Sequence, residues 1–225
     1  MSEDIINCAI LSGLFLALFG IGELMYHVFH VKAELTRKWS HIGTGVLTLL
    51  FPIMLSSHWY VLLMCSSFAV LLIGSMKFGF LKSINAVDRD TLGSILYPVA
   101  VYFCFLSMSW SRAQYTSFYL PILSLAFADP MAALVGKKWG VKSYSIMGHA
   151  KTYLGSLACA CTAFVLCYTA IEAQWMTNGT IYVAAFSGLY AVSIAFVEAL
   201  SIRGYDNLTI PVAGVVLLQW GTLWV

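Results

Sequence analysis

The residues best suited to chemistry fall in one stretch. It runs from Ala128-Asp129-Pro130-Met131-Ala132 through Gly136-Lys137-Lys138-Trp139-Gly140 to Lys151-Thr152-Tyr153-Leu154-Gly155-Ser156. An acid stands inside an apolar run, the chain leaves that run through glycines and lysines, and it returns to another at Lys-Thr. Asp129 precedes Gly136, at the expected helix end, by ~10 Å at 1.5 Å per residue. An ionisable side chain at that depth costs about 2.5–3.5 kcal/mol, so it needs a partner, an ion or a water-filled cavity. Ala132, Ala133, Gly136 and Gly140 follow at helical spacing. Residues that small admit either another helix or a phosphate close to the backbone. The purely structural alternative for Asp129 is an interhelical salt bridge.

Three other segments carry suitable groups. Lys151-Thr152-x-x-Gly155-Ser156 is expected to open a helix, whose free N–H groups and dipole favour an anion, with Lys151 adding a point charge. It is no Walker A loop, because the Gly-x-x-x-x-Gly-Lys cradle is missing; helix capping by Thr152 is the structural alternative. Arg37-Lys38-Trp39-Ser40-His41 is expected to precede a span, with Gly43 and Gly45 inside it. On a helix Arg37, Lys38 and His41 share a face, and two cations with an imidazole suit phosphate oxygens and proton handling. A positive anchor with an interfacial Trp is the alternative. Glu198 and the run Gly204-Tyr205-Asp206-Asn207-Leu208 close the set. Asp206 suits either an N-cap or a metal site. Magnesium takes one or two carboxylates plus substrate phosphates, so Asp129, Glu198 and Asp206 are its candidate ligands. Asp88-Arg89-Asp90 reads first as a local cap, and Glu23 with His27 as a structural pair.

The elements that position these groups are membrane helices. The 225 residues are 60% hydrophobic and only 10% charged, with mean hydropathy +0.85, which excludes a soluble domain. The pattern predicts one all-α, polytopic membrane domain over residues 1–225. About eight spans are expected, at 5–28, 41–56, 58–75, 92–109, 115–136, 153–173, 180–200 and 207–225. Eleven of the twelve Lys and Arg residues, all but Arg112, then fall on one side. The positive-inside rule makes that side cytoplasmic and puts both termini on the other. All the candidate segments lie on the cytoplasmic side. The six cysteines sit in apolar runs without metal spacing, so neither disulfides nor zinc are expected. The acidic N-terminus lacks the basic region of a signal peptide. Asn178-Gly179-Thr180 forms a sequon in an expected outer loop. A net charge of +2 and the absence of nucleic-acid motifs exclude nucleic acid as a partner.

Together these segments resemble the polyprenol kinase family, which includes dolichol kinase, phytol kinase and the CTP-dependent diacylglycerol kinase of fungi. The likeness rests on Arg37-Lys38-x-x-His41, Asp129-x-x-Ala132-x-x-x-Gly136-x-x-x-Gly140, Lys151-Thr152-x-x-Gly155-Ser156 and Glu198 followed by Gly204-x-Asp206-Asn207-Leu208. The middle part is also similar to phosphatidate cytidylyltransferase. That family has an acid where this chain has Leu154, and a Pro-Gly-His-Gly-Gly segment absent here. The resemblance implies a kinase transferring the γ-phosphoryl group of CTP to a membrane alcohol, either an isoprenoid such as dolichol or phytol, or diacylglycerol, with Mg2+ as cofactor. On that reading Arg37, Lys38, Gly136, Lys137, Lys138, Gly140, Lys151, Thr152, Gly155, Ser156 and Asn207 hold nucleotide phosphates. Asp129, Glu198 and Asp206 hold the metal, and Asp129, His41 and Asp206 carry the catalysis. A transporter with Asp129 in its path is the reading from another class. It lacks the repeated halves that transporters show.

Overall fold

The structure is a computed structural model that describes residues 3–86, 92–146, 148–174 and 180–221. The helices are α1 (Glu3–His27), α2 (Ala33–Thr48), α3 (Phe51–Met54), α4 (His58–Phe78), α5 (Lys82–Asn85) and α6 (Gly93–Trp110). Then come α7 (Thr116–Leu123), a π-helical segment (Ser124–Ala128), α8 (Asp129–Trp139), α9 (Tyr153–Gln174), α10 (Thr180–Leu200) and α11 (Asp206–Gly221). Strands β1 (Ser143–Ile146) and β2 (His149–Thr152) form an antiparallel hairpin between α8 and α9. Gly148, at φ +79°, takes its turn in a conformation open to glycine.

Among the described residues, six helices are long and apolar enough to cross a membrane: α1, α4, α6, the continuous run Thr116–Trp139, α9 and α10. The protein is therefore an all-α multi-pass membrane protein with one small hairpin. Large apolar side chains such as Val70, Val165, Val192 and Phe196 stay exposed on outer faces, where lipid rather than water meets them. The run Thr116–Trp139 has 56% of its apolar window buried against 28–39% in the other five, which makes it the central helix. Around it α9 packs on α10 and α8, α4 on α6, and α1 on α2. Phe118, Leu120, Ile122 and Leu125 are fully buried at the centre. Close packing holds them, since lipid tails are as apolar as the core.

Three sequence expectations change. The second span was expected from residue 41, but its helix begins at Ala33, so Arg37 to His41 lie inside α2 rather than ahead of it. Thr36, Ser40, Gly45 and Thr48 form its buried side, and so polar an inner face gives no hydropathy signal. The same span breaks between α2 and α3, with Pro52 in the first turn of α3. The approach to the sixth span also changes: Lys151 and Thr152 end β2, while α9 still starts at Tyr153, where that span was expected. Asp88, Arg89 and Asp90 lie outside the described residues, as do Asn178 and Gly179 of the sequon. All six cysteines are free, with Cys159 buried and Cys161 exposed on another side of α9, as their spacing implies.

Candidate active site

The N-terminal ends of α2, α6, α9 and α11 and the C-terminal ends of α8 and α10 surround one cavity of about 980 Å3. Asp129 lines it, and the reason for its position begins with Pro130. In a π-helical pattern each carbonyl pairs with the amide five residues on. For Leu125 that residue is Pro130, which has no N–H. The Leu125 carbonyl oxygen is met by His41 Nε2 at 2.9 Å. A carbonyl only accepts, so Nε2 carries the proton. The same nitrogen lies 4.0 Å from Asp129 Oδ2. Gly45, one turn beyond His41, allows this approach: a Cβ there would run into Ala126 Cβ and lie 2.9 Å from the Tyr97 hydroxyl. The His41 ring meets the Tyr97 ring edge-on, with centroids 5.2 Å apart.

The opposite wall is an ion pair. Lys151 Nζ bonds to the Glu198 carboxylate and, at 3.0 Å, to the Glu198 backbone carbonyl. Burial opposes the charge on Lys151, but Glu198, then Asp129 and Asp206, hold its ammonium above the ordinary lysine value. The charges of Asp206, Glu198, Lys38 and Lys151 all reach Asp129. Asp206 begins α11 and accepts the amide of the adjacent Asn207 at 2.9 Å, a contact one residue on and not the N2 or N3 bond of an N-cap. Asn207 Nδ2 donates to the Gly93 carbonyl at 2.8 Å, tying α11 to the start of α6.

Of the expected site residues, the cavity wall gathers Arg37, Lys38, His41, Asp129, Gly136, Lys137, Lys151, Thr152, Gly155, Ser156, Glu198, Asp206 and Asn207. Lys138 and Gly140 are not part of that wall; Lys138 lies over the Trp139 ring, 4.5 Å from its centroid. Lys137 pairs with Glu34. The glycines serve a helix crossing. A Cβ on Gly136 would lie 2.6 Å from Thr152 Oγ1, and one on Gly155 would lie 2.7 Å from the Ala132 carbonyl oxygen. Thr152 Oγ1 accepts the Gly155 amide at 3.1 Å and so caps α9. Glu23 pairs with His27 at 3.1 Å, as expected, and also accepts the Ser83 amide at 2.7 Å.

Arg203 also lines the cavity and was not singled out from the sequence. Its place between Glu198 and Asp206 is the signal that could have found it. Among the described residues, no three His, Cys, Asp or Glu side chains are gathered tightly enough to form a metal cage. The donor set still fits magnesium, which binds through one or two hard carboxylates and completes its shell with water and phosphate. Asp129 and Asp206 suit that role, whereas Glu198 is engaged by Lys151.

No family model matches the chain, and no solved structure matches it. A phytol kinase from Synechocystis sp. is 29% identical over 204 residues, covering 88% of this chain and 83% of that protein. The chain is homologous to this phytol kinase over most of its length, a likeness that supports the resemblance to the polyprenol and phytol kinase family.

Proposed function

We propose that the protein is a phosphotransferase that phosphorylates a lipid alcohol, with CTP as donor and an isoprenoid alcohol of the phytol type as acceptor. The observation that carries this reading is the continuity of one cavity. Arg37, Lys38, Asp129, Lys151, Arg203 and Asp206 line its charged part, and Phe15, Phe51, Met64 and Phe68 line its apolar part. A polyphosphate and an amphiphilic alcohol need such a pair of environments, side by side. The relative's name supports the acceptor class, and the family resemblance supports CTP. The bias of Lys and Arg supports a site open to the cytoplasm and eight spans with outward termini.

On this reading Arg37, Lys38, Lys151 and Arg203 neutralise the phosphates. Asp129 and Asp206 would hold magnesium, which supplies further charge neutralisation when bound. The alcohol oxygen attacks the γ-phosphorus, the bond from that phosphorus to the β,γ-bridging oxygen breaks, and the nucleoside diphosphate leaves. Asp129 takes the hydroxyl proton. His41 is a positioning residue, because the nitrogen it turns towards Asp129 already carries a proton for Leu125. Such transfer needs mainly positioning and electrostatic stabilisation, so a small set of groups suffices.

The test is to incubate the protein in lipid nanodiscs with CTP labelled at the γ-phosphate and a panel of phytol, dolichol, diacylglycerol and phosphatidate. The reading expects label in the lipid fraction, greatest with an isoprenoid alcohol. Label recovered only in pyrophosphate, with phosphatidate as acceptor, would make the protein a cytidylyltransferase instead.

A further inference from the structure

The cavity extends well past the charged groups, and phosphate chemistry does not require that extension. Along the inward side of α2 the lining changes from Arg37 and His41, through Thr44 and Thr48, to Phe51 on α3. These positions follow at helical spacing across the break between α2 and α3, so one side of this span carries the whole change from charge to hydrocarbon. At 1.5 Å per residue along α2, Thr48 lies ~10 Å beyond His41, and Phe51 follows past the break. There the facing wall is Phe15 of α1 with Met64, Cys65 and Phe68 of α4.

Aromatic rings close the far end. The Phe15 ring meets Phe51 edge-on at 6.0 Å and Phe68 at 4.8 Å, centroid to centroid. Phe15, Phe51 and Met64 are 3%, 3% and 2% exposed and Phe68 is half-buried beside them, so these side chains pack closely against one another at this end. An arm that is apolar, closed at one end and continuous with a phosphate-handling site suits one occupant: the hydrocarbon chain of an alcohol whose hydroxyl sits at Asp129. A nucleobase can stack on aromatic rings, but a nucleotide's ribose and phosphates gain nothing from these walls, and only an alkyl chain matches them throughout.

We propose that this arm holds the chain of the acceptor alcohol and that Phe15, at its end, sets the chain length accepted. The inference rests on the lipid-alcohol kinase reading and adds its specificity determinant. Chains that stop at Phe15 fill the arm, and longer ones must displace the ring.

The test measures kcat/KM for geraniol, farnesol, phytol and a longer polyprenol, with γ-labelled CTP and protein in nanodiscs. Wild type is compared with Phe15→Ala, which opens the end, and Cys65→Phe, which narrows the arm. Phe15→Ala should raise the ratio of long-polyprenol to geraniol efficiency about tenfold, and Cys65→Phe should lower the phytol-to-geraniol ratio by a similar factor. If Phe15→Ala fails to fold, Cys65→Phe decides alone. A folded Cys65→Phe whose ratio stays within about twofold of wild type overturns the arm assignment while leaving the kinase reading intact. A wild-type protein that phosphorylates no alcohol overturns both.

Discussion

His41 Nε2 and the Leu125 carbonyl oxygen are joined by a 2.9 Å hydrogen bond, and Pro130, five residues beyond Leu125, has no N–H to compete for that carbonyl. A break in the pairing of the central helix thus fixes a side chain of a neighbouring helix, and that side chain stands 4.0 Å from Asp129. The π-helical segment, the proline and the histidine act as one device for holding an acid at a set place in the membrane.

Removing the histidine should therefore cost rate without removing the reaction. His41→Ala is expected to lower kcat about 100-fold, the scale on which a misplaced reacting group loses rate. His41→Gln keeps a donor for Leu125 and should recover much of that loss. A general base would behave differently: Gln would be as inactive as Ala, and the acid limb of the pH–rate profile would disappear in both.

Gly45→Ala should imitate His41→Ala, since a methyl group there pushes α2 away from Ala126. The check is kcat together with thermal stability. Overpacking of this kind costs about 1–3 kcal/mol, so a modest fall in melting temperature should accompany the loss of rate.

The Lys151–Glu198 pair separates stability from chemistry. Glu198→Gln leaves Lys151 poorly paired in a largely buried place, at an expected cost of about 3 kcal/mol, the low end for breaking a buried pair because Lys151 keeps some contact with water. Replacing both residues by Met should restore most of the stability but not the activity, because phosphate binding loses Lys151. The folded pKa of Lys151 is raised. Its contribution is then fully present below the unfolded value of about 10.4 and is lost as pH rises through the raised value. Thermal denaturation across that range should show the alkaline loss in wild type and not in the double variant.

Gly136→Ala and Gly155→Ala should lower thermal stability, with loss of activity following from the altered α8–α9 crossing. A nucleotide titration on whatever protein remains folded is the control. Unchanged stability with weakened nucleotide binding would return these glycines to the phosphate-binding role that the sequence suggested.

Much of this site was legible before the structure. Asp129 stands out because an acid in an apolar run needs a reason, and Lys151 and Glu198 because they lie at the same expected membrane surface. The rest depended on geometry that composition does not carry. The start of α2 at Ala33 was missed because its inner side is polar, lining a cavity instead of a core. The β-hairpin was missed because Lys151-Thr152 before an apolar run reads as a helix start, while the turn at Gly148 that makes it a strand end is a backbone choice. The glycines were read correctly as sites of close approach, but only packing shows that the approaching group is a helix. No spacing rule announces the π-helical segment, although Pro130 beside Asp129 was in view throughout.

The central claim is that Asp129 sits where donor and acceptor meet and takes part in the transfer itself. The direct measurement is single-turnover transfer of the γ-phosphate label from CTP to phytol by wild type and by Asp129→Asn, both shown to be folded in nanodiscs. The account predicts rapid labelling of lipid by wild type and a loss of about 100-fold or more in the variant. Transfer by folded Asp129→Asn at the wild-type rate would contradict it.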